Sequence, residues 1–226
     1  MAALKLFSLA SASALLMADA VHQTPKQTPL TARTVSSTYT VNLGETGVCL
    51  DEINDARQAA GLEHFKTPSA EVTWPKTSAA KAEQPSSAWN PVCEALIAEE
   101  SEEGEPGAYA TEFQSGTYAF MALESETPDC AAAVKHWKDA ASNFTTIPPA
   151  KNKEPKLYEK QQNVSLIALY NPSDNAAIDC RVVTCTLPGS EPSTSNIRSA
   201  EKDKHGYALL CMTTPDALEG EDAPFE

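Results

Sequence analysis

Four histidines and six cysteines carry most of the chemical potential of this 226-residue chain. His22, His64, His136 and His205 are scattered, no two of them at ligand spacing, and the zinc-protease helix H-E-x-x-H is absent. His136, beside Trp137, is the most interesting of them, but helical periodicity puts it off the apolar stripe, so partial exposure is expected rather than catalysis. His22 and His205 lie in polar stretches and are expected at the surface. There is no G-x-S-x-G elbow and no phosphate-cradling glycine loop. Asp51 and Glu52 are adjacent, so a helix would point them in different directions rather than assemble an acid/base pair. No catalytic residue, metal ligand or cofactor is therefore expected, and the chain reads as a non-enzyme.

The cysteines point to structure instead. Cys49, Cys93, Cys130, Cys180, Cys185 and Cys211 all follow a secretory-type start, and an even count there implies three disulfides. C-x-x-C is absent, which leaves little support for a structural zinc or a redox centre. Cys180 and Cys185 fall within one expected strand and would face opposite ways, roughly 16 Å apart, beyond disulfide reach. Each must find another partner. Six cysteines allow fifteen pairings; the favoured sets hold one strand-to-strand, one strand-to-helix and one helix-to-helix bond. Cys180 with Cys211 is the preferred strand pair.

Residues 1–20 carry one cation, Lys5, then an apolar run from Leu6 to Met17, and end on Ala18-Asp19-Ala20. This is the pattern of a cleavable signal peptide, too short in its apolar part to span a bilayer, which takes roughly 20 residues. Residues 21–38 are polar and aperiodic and read as a flexible leader. A single domain over 39–218 and a polar tail over 219–226 complete the division.

Within the domain, GVCLDEINDARQAAGL reads as a helix with Thr46 as its cap and Gly61 at its C-terminal turn. VCEALIAEE reads as a short second helix. In TPDCAAAVKHWKDAASNF, Thr127 would cap a third, with Cys130, Ala133, Val134, Trp137, Ala141 and Phe144 as its apolar stripe. Residues 117–123, 163–170, 177–185 and 207–213 read as strands. The fold class expected is α+β, a small, mainly antiparallel sheet covered by helices. Segments 67–91, 99–108 and 187–206 read as exposed, variable loops.

Two sequons, Asn143-Phe144-Thr145 and Asn163-Val164-Ser165, could accept glycans in a secreted chain. The formal charge of −14, densest in EESEEGE at 99–105, disfavours nucleic acid and anionic lipid. That acidic run lacks the ligand pattern of an EF-hand loop and reads as solvated.

The order of CLDEINDARQAAGLEHF, DCAAAVKHWKDAASNF, ALYNPSDNAAIDCRVVTC and GYALLCMTTPDAL resembles the SAG surface antigens of Eimeria, the coccidian gut parasites. The resemblance spans about residues 39–218. It implies a fold similar to the CAP superfamily of cysteine-rich secretory, antigen 5 and pathogenesis-related proteins, a three-layer α-β-α sandwich. CAP clefts often hold two histidines and two glutamates. Here the helix motif W-Y-x-E reads Trp137-Lys138-Asp139-Ala140, and NVSLIALY brings no histidine, so the resemblance carries over a scaffold without its metal site.

The family also implies a glycolipid-anchored surface protein. This sequence ends on the polar Glu219–Glu226, which leaves open a piece of a longer chain or a secreted form. The expected role is a monomeric surface or secreted antigen that meets a host-cell surface molecule or host antibodies, with membrane contact only through a lipid anchor. The alternative is a secreted carrier of a sterol or other small lipid.

Overall fold

The computed structural model describes residues 39–66, 72–78, 85, 87–97, 113–189 and 202–225. The expected signal, the leader to residue 38, the acidic segment 99–108 and parts of 67–91 and 187–206 lie outside them. The described elements are β1 (Thr40–Leu43), α1 (Leu50–Ala59), α2 (Asn90–Ile97), β2 (Thr117–Leu123), α3 (Cys130–Asp139), α4 (Gln161–Leu169), β3 (Ala177–Leu187) and β4 (Lys204–Thr214). The strands form one sheet in the order β1-β3-β4-β2, with every neighbouring pair antiparallel. β3 and β4 pair along all 11 of their residues.

Because side chains alternate across a strand, β2, β3 and β4 each supply two cores. Ala119, Ile178, Cys180, Leu209 and Cys211 face one cluster, which Ile53 and Ala56 of α1, Ala133, Val134 and Trp137 of α3, and Ala168 and Leu169 of α4 complete. Tyr118, Phe120, Val183, Cys185, Leu210 and Met212 face a second, completed by Val92 and Cys93 of α2 with Ala88 and Trp89. Burial on both sides explains why β4 reads as an almost continuous apolar run rather than an alternating one. The class is α+β, with an antiparallel sheet and three disulfides.

Groups outside the sheet occupy part of both edges. On β1, Ser78 Oγ accepts from Val41 N at 3.0 Å while Ser78 N donates to Val41 O at 2.8 Å. On β2, Ser165 Oγ accepts from Phe120 N at 3.0 Å, Gln161 Nε2 donates to Tyr118 O at 2.7 Å, and Trp137 Nε1 donates to Phe120 O at 2.9 Å. An open edge would invite pairing with another chain, and these contacts occupy backbone groups of Val41, Tyr118 and Phe120.

Residues 163–170 are not a strand: 163–169 belong to α4, and Tyr170 follows as its C-cap. Leu166, Ile167, Ala168 and Leu169 are buried in succession, so this short helix is covered all round and has no stripe to distinguish it from a buried strand. The fourth strand is instead Thr40–Leu43, at the very start of the fold. Two caps also differ. Thr46 Oγ1 bonds to Asp179 Oδ1, and α1 begins after Cys49, whose backbone is left-handed at φ 64°. At α3, Asp129 Oδ1 accepts from Ala132 N at 2.9 Å, so Asp129 rather than Thr127 is the cap. Gly61 does occupy a left-handed position after α1, at φ 81°.

Part of the stretch 67–91 is anchored rather than loop-like. Trp74 stacks on Trp89 with ring centroids 6.4 Å apart and donates Nε1 to Asp179 Oδ2 at 2.8 Å. The acidic end is likewise not wholly solvated, since Phe225 packs against the cluster of Tyr158, Ile167 and Leu218.

Candidate functional site

The six cysteines come together in three pairs. Cys49–Cys130 ties the start of α1 to the start of α3, Cys93–Cys185 ties α2 to β3, and Cys180–Cys211 crosslinks β3 and β4 at directly opposed positions. Each pair joins elements distant in sequence, so helices on both faces are locked to the sheet or to each other.

The histidines stay apart. His64 is exposed after α1; His205 is exposed on β4, stacked on Tyr207 with its Nδ1 2.9 Å from Thr186 Oγ1. His136 is half-buried on α3, and its carbonyl accepts from Gln162 Nε2 at 2.8 Å. His22 lies outside the described residues. Among those residues no group of three or more histidine, cysteine, aspartate or glutamate side chains could hold a metal. At the CAP-cleft positions, Trp137 is buried and engaged with the β2 edge, Asp139 pairs with Lys135 at 2.6 Å in solvent, and Ala140 is buried. Asp51 and Glu52 are exposed in the first turn of α1, where carboxylates favour the helix dipole.

Apart from Asn163, the buried polar groups were not singled out from the sequence, and those described next each have a structural task. Asp179, 2% exposed, accepts from Thr46, from Trp74 Nε1 and from Arg181 Nε at 2.8 Å. Arg57 donates to the carbonyls of Glu63, Leu169 and Asn171 at 2.8, 3.1 and 2.9 Å and lies 3.8 Å from the centre of the Phe65 ring. Burial lowers its guanidinium to about 10, which leaves it charged at neutral pH, where it meets the C-terminal carbonyls of α4. Asn171 Nδ2 bridges Thr213 Oγ1 and Pro215 O. Two of these were visible in principle: Asp179 interrupts an apolar strand, and Arg57 follows Ile53 by four, on the buried face.

The sequons differ sharply. Asn143 is half-buried at the end of the turn Ala140–Asn143, whereas Asn163 is fully buried on α4 and does not open a strand.

A groove of about 590 Å3 runs between α1 and α3. Ala56, Ala59, Ala131 and Val134 line it together with the charged Glu52, Asp55, Lys135, Lys138 and Asp139. Small residues and charges of both signs give a mixed lining.

Comparison with known proteins places the chain in a family. The family model described as the sporozoite surface antigen (SAG) protein domain matches residues 45–226. The "Sporulated oocyst TA4 antigen" of Eimeria tenella is 30% identical over 115 residues, covering 50% of this chain and 43% of that protein. The chain therefore aligns with less than half of that relative's length. No solved structure matches significantly. With a family model covering most of its residues, this chain belongs to the sporozoite surface antigen (SAG) protein domain family.

Proposed function

We propose that the chain is a non-enzymatic surface or secreted antigen, a monomer that meets a host-cell surface molecule or host antibodies through segments 99–108 and 190–201 and through the part of 67–91 outside the anchored residues 72–78 and 87–91. The observation that carries this reading is where the buried polar side chains are engaged. Gln161, Ser165 and Trp137 occupy part of a sheet edge, while Asp179, Arg57 and Asn171 hold loops and helix ends. No acid/base pair is brought together by them. Loops on a rigid scaffold are the usual carriers of recognition. A CAP-like three-layer sandwich is the fold that best accounts for helices against both faces of the sheet. Residues 1–20 serve as the secretory signal in this proposal, and attachment to the parasite surface would be through a glycolipid.

The lipid-carrier reading gains no support from the α1–α3 groove. A sterol site is an enclosed apolar cavity, whereas five charged side chains line this groove. The test is recognition of the disulfide-intact protein by antibodies from infected animals. Specific binding that weakens after reduction and alkylation supports presentation by the folded scaffold. No recognition by such antibodies, together with no saturable binding to host epithelium, contradicts it.

A further inference from the structure

We infer that the two sequons have opposite fates: Asn143 is an N-glycan acceptor, and Asn163 is a structural residue that stays unmodified in the folded protein. Asn163 has 0% exposure on α4. Its Nδ2 donates to Leu157 O at 2.7 Å, and its Oδ1 accepts from Asn143 Nδ2 at 2.7 Å. Any sugar on that nitrogen would occupy the space of the packed core, so a chain glycosylated at Asn163 before folding could not reach this structure.

Asn143 is placed differently. It ends a short turn, is half-buried, and its sequon hydroxyl, Thr145, is exposed, as is Ser142. Transfer takes place at the amide nitrogen. Nδ2 attacks the anomeric carbon of a lipid-pyrophosphate-linked oligosaccharide, the N–C bond forms and the C–O bond to phosphate breaks. The pyrophosphate leaves with the electron pair, and Nδ2 gives up one proton. The product amide still carries one N–H. That hydrogen is enough to keep the 2.7 Å bond to Asn163 Oδ1, so modification at Asn143 is compatible with the contact that modification at Asn163 destroys. Four residues further on, Ile147 is 57% exposed, the large apolar side chain left in solvent among the described residues. A glycan attached nearby along the chain would shield it.

The two sites separate cleanly on digestion, because trypsin places Asn143 in the peptide 139–151 and Asn163 in 161–181. The full chain is sent through the secretory pathway of an N-glycan-adding cell line by that line's own secretion signal, which makes the outcome independent of the routing proposed for residues 1–20. The secreted protein is then treated with peptide-N-glycosidase in heavy-oxygen water and mapped by mass spectrometry. The expected result is heavy-labelled aspartate at position 143 alone, and loss of the whole glycan mass in Asn143→Gln. Thr145→Ala removes the sequon while leaving the Asn143–Asn163 bond in place, and gives the same loss without the risk of misfolding. A glycan on peptide 161–181 of the secreted, folded protein overturns the inference, and so does secreted protein with neither peptide modified.

Discussion

Removing the Cys93–Cys185 bond should destabilise the domain more than removing Cys180–Cys211, by an amount that chain length sets. All four of these cysteines are at most 1% exposed. Replacing either pair with alanine therefore deletes two buried sulfurs, and the packing losses largely cancel in the comparison. The loops closed do not cancel, being 92 and 31 residues apart in sequence. Cys49–Cys130 remains in both variants and offers neither loop a shorter path. With loop-closure entropy growing as (3/2)R ln n, the bonds contribute about 4.6 and about 3.7 kcal/mol at 25 °C, a difference of about 1 kcal/mol. For a domain of this size that corresponds to about 2–4 °C in Tm. Urea unfolding of Cys93→Ala/Cys185→Ala and Cys180→Ala/Cys211→Ala measures it. Equal stabilities, or the reverse order, would show that loop length does not set the difference.

Three further outcomes are expected. Ser165→Ala leaves Phe120 N without its acceptor inside the protein, costing about 1–3 kcal/mol in urea unfolding and speeding hydrogen exchange at that amide. Gly206→Ala places a Cβ 2.6 Å from Leu96 Cβ and 3.0 Å from Leu96 O, so α2 must shift; a loss of about 1–3 kcal/mol by thermal denaturation is expected, and an unchanged Tm would mean that α2 does not press on β4. At alkaline pH, burial raises the phenols of Tyr118, Tyr158 and Tyr170, with Asp216 adding to the first and Glu154 to the second, which is pushed up to about 12. A raised phenol holds its proton in the fold, so this stability is full below the ordinary tyrosine pKa of about 10 and is lost as pH climbs through the folded values. Arg57, lowered to about 10, works in the opposite direction over part of that window, one group against three. Net stability should therefore fall above about pH 10, with tyrosine ionisation delayed relative to the unfolded chain in an ultraviolet titration.

Where aromatic and apolar composition or a one-sided helical stripe separated strand from helix, the sequence was readable. TYAFMAL gave β2 at its observed bounds, and the stripe through Ala133, Val134 and Trp137 is the face that α3 buries. The inability of Cys180 and Cys185 to pair with each other followed from strand spacing alone, and the structure bonds them to different partners. What could not be read depends on contacts far apart in sequence. α4 looks like a strand because its surroundings bury every side; only Gln161 and Ser165, aimed at the edge of β2, reveal why it is a helix. Thr46 looked like a helix cap until Asp179, 133 residues away, was seen to take its hydroxyl. Asn163 carries a legitimate sequon, and only tertiary packing shows that its amide belongs to the interior.

The central proposal is a folded, disulfide-held domain that meets the host through its surface. Its most direct test is saturation binding of the labelled, disulfide-intact protein to host intestinal epithelial cells, with the reduced and alkylated chain alongside. Saturable binding that excess unlabelled protein displaces and that reduction abolishes is expected. Non-saturable uptake, the same for the intact and the reduced chain, would contradict it.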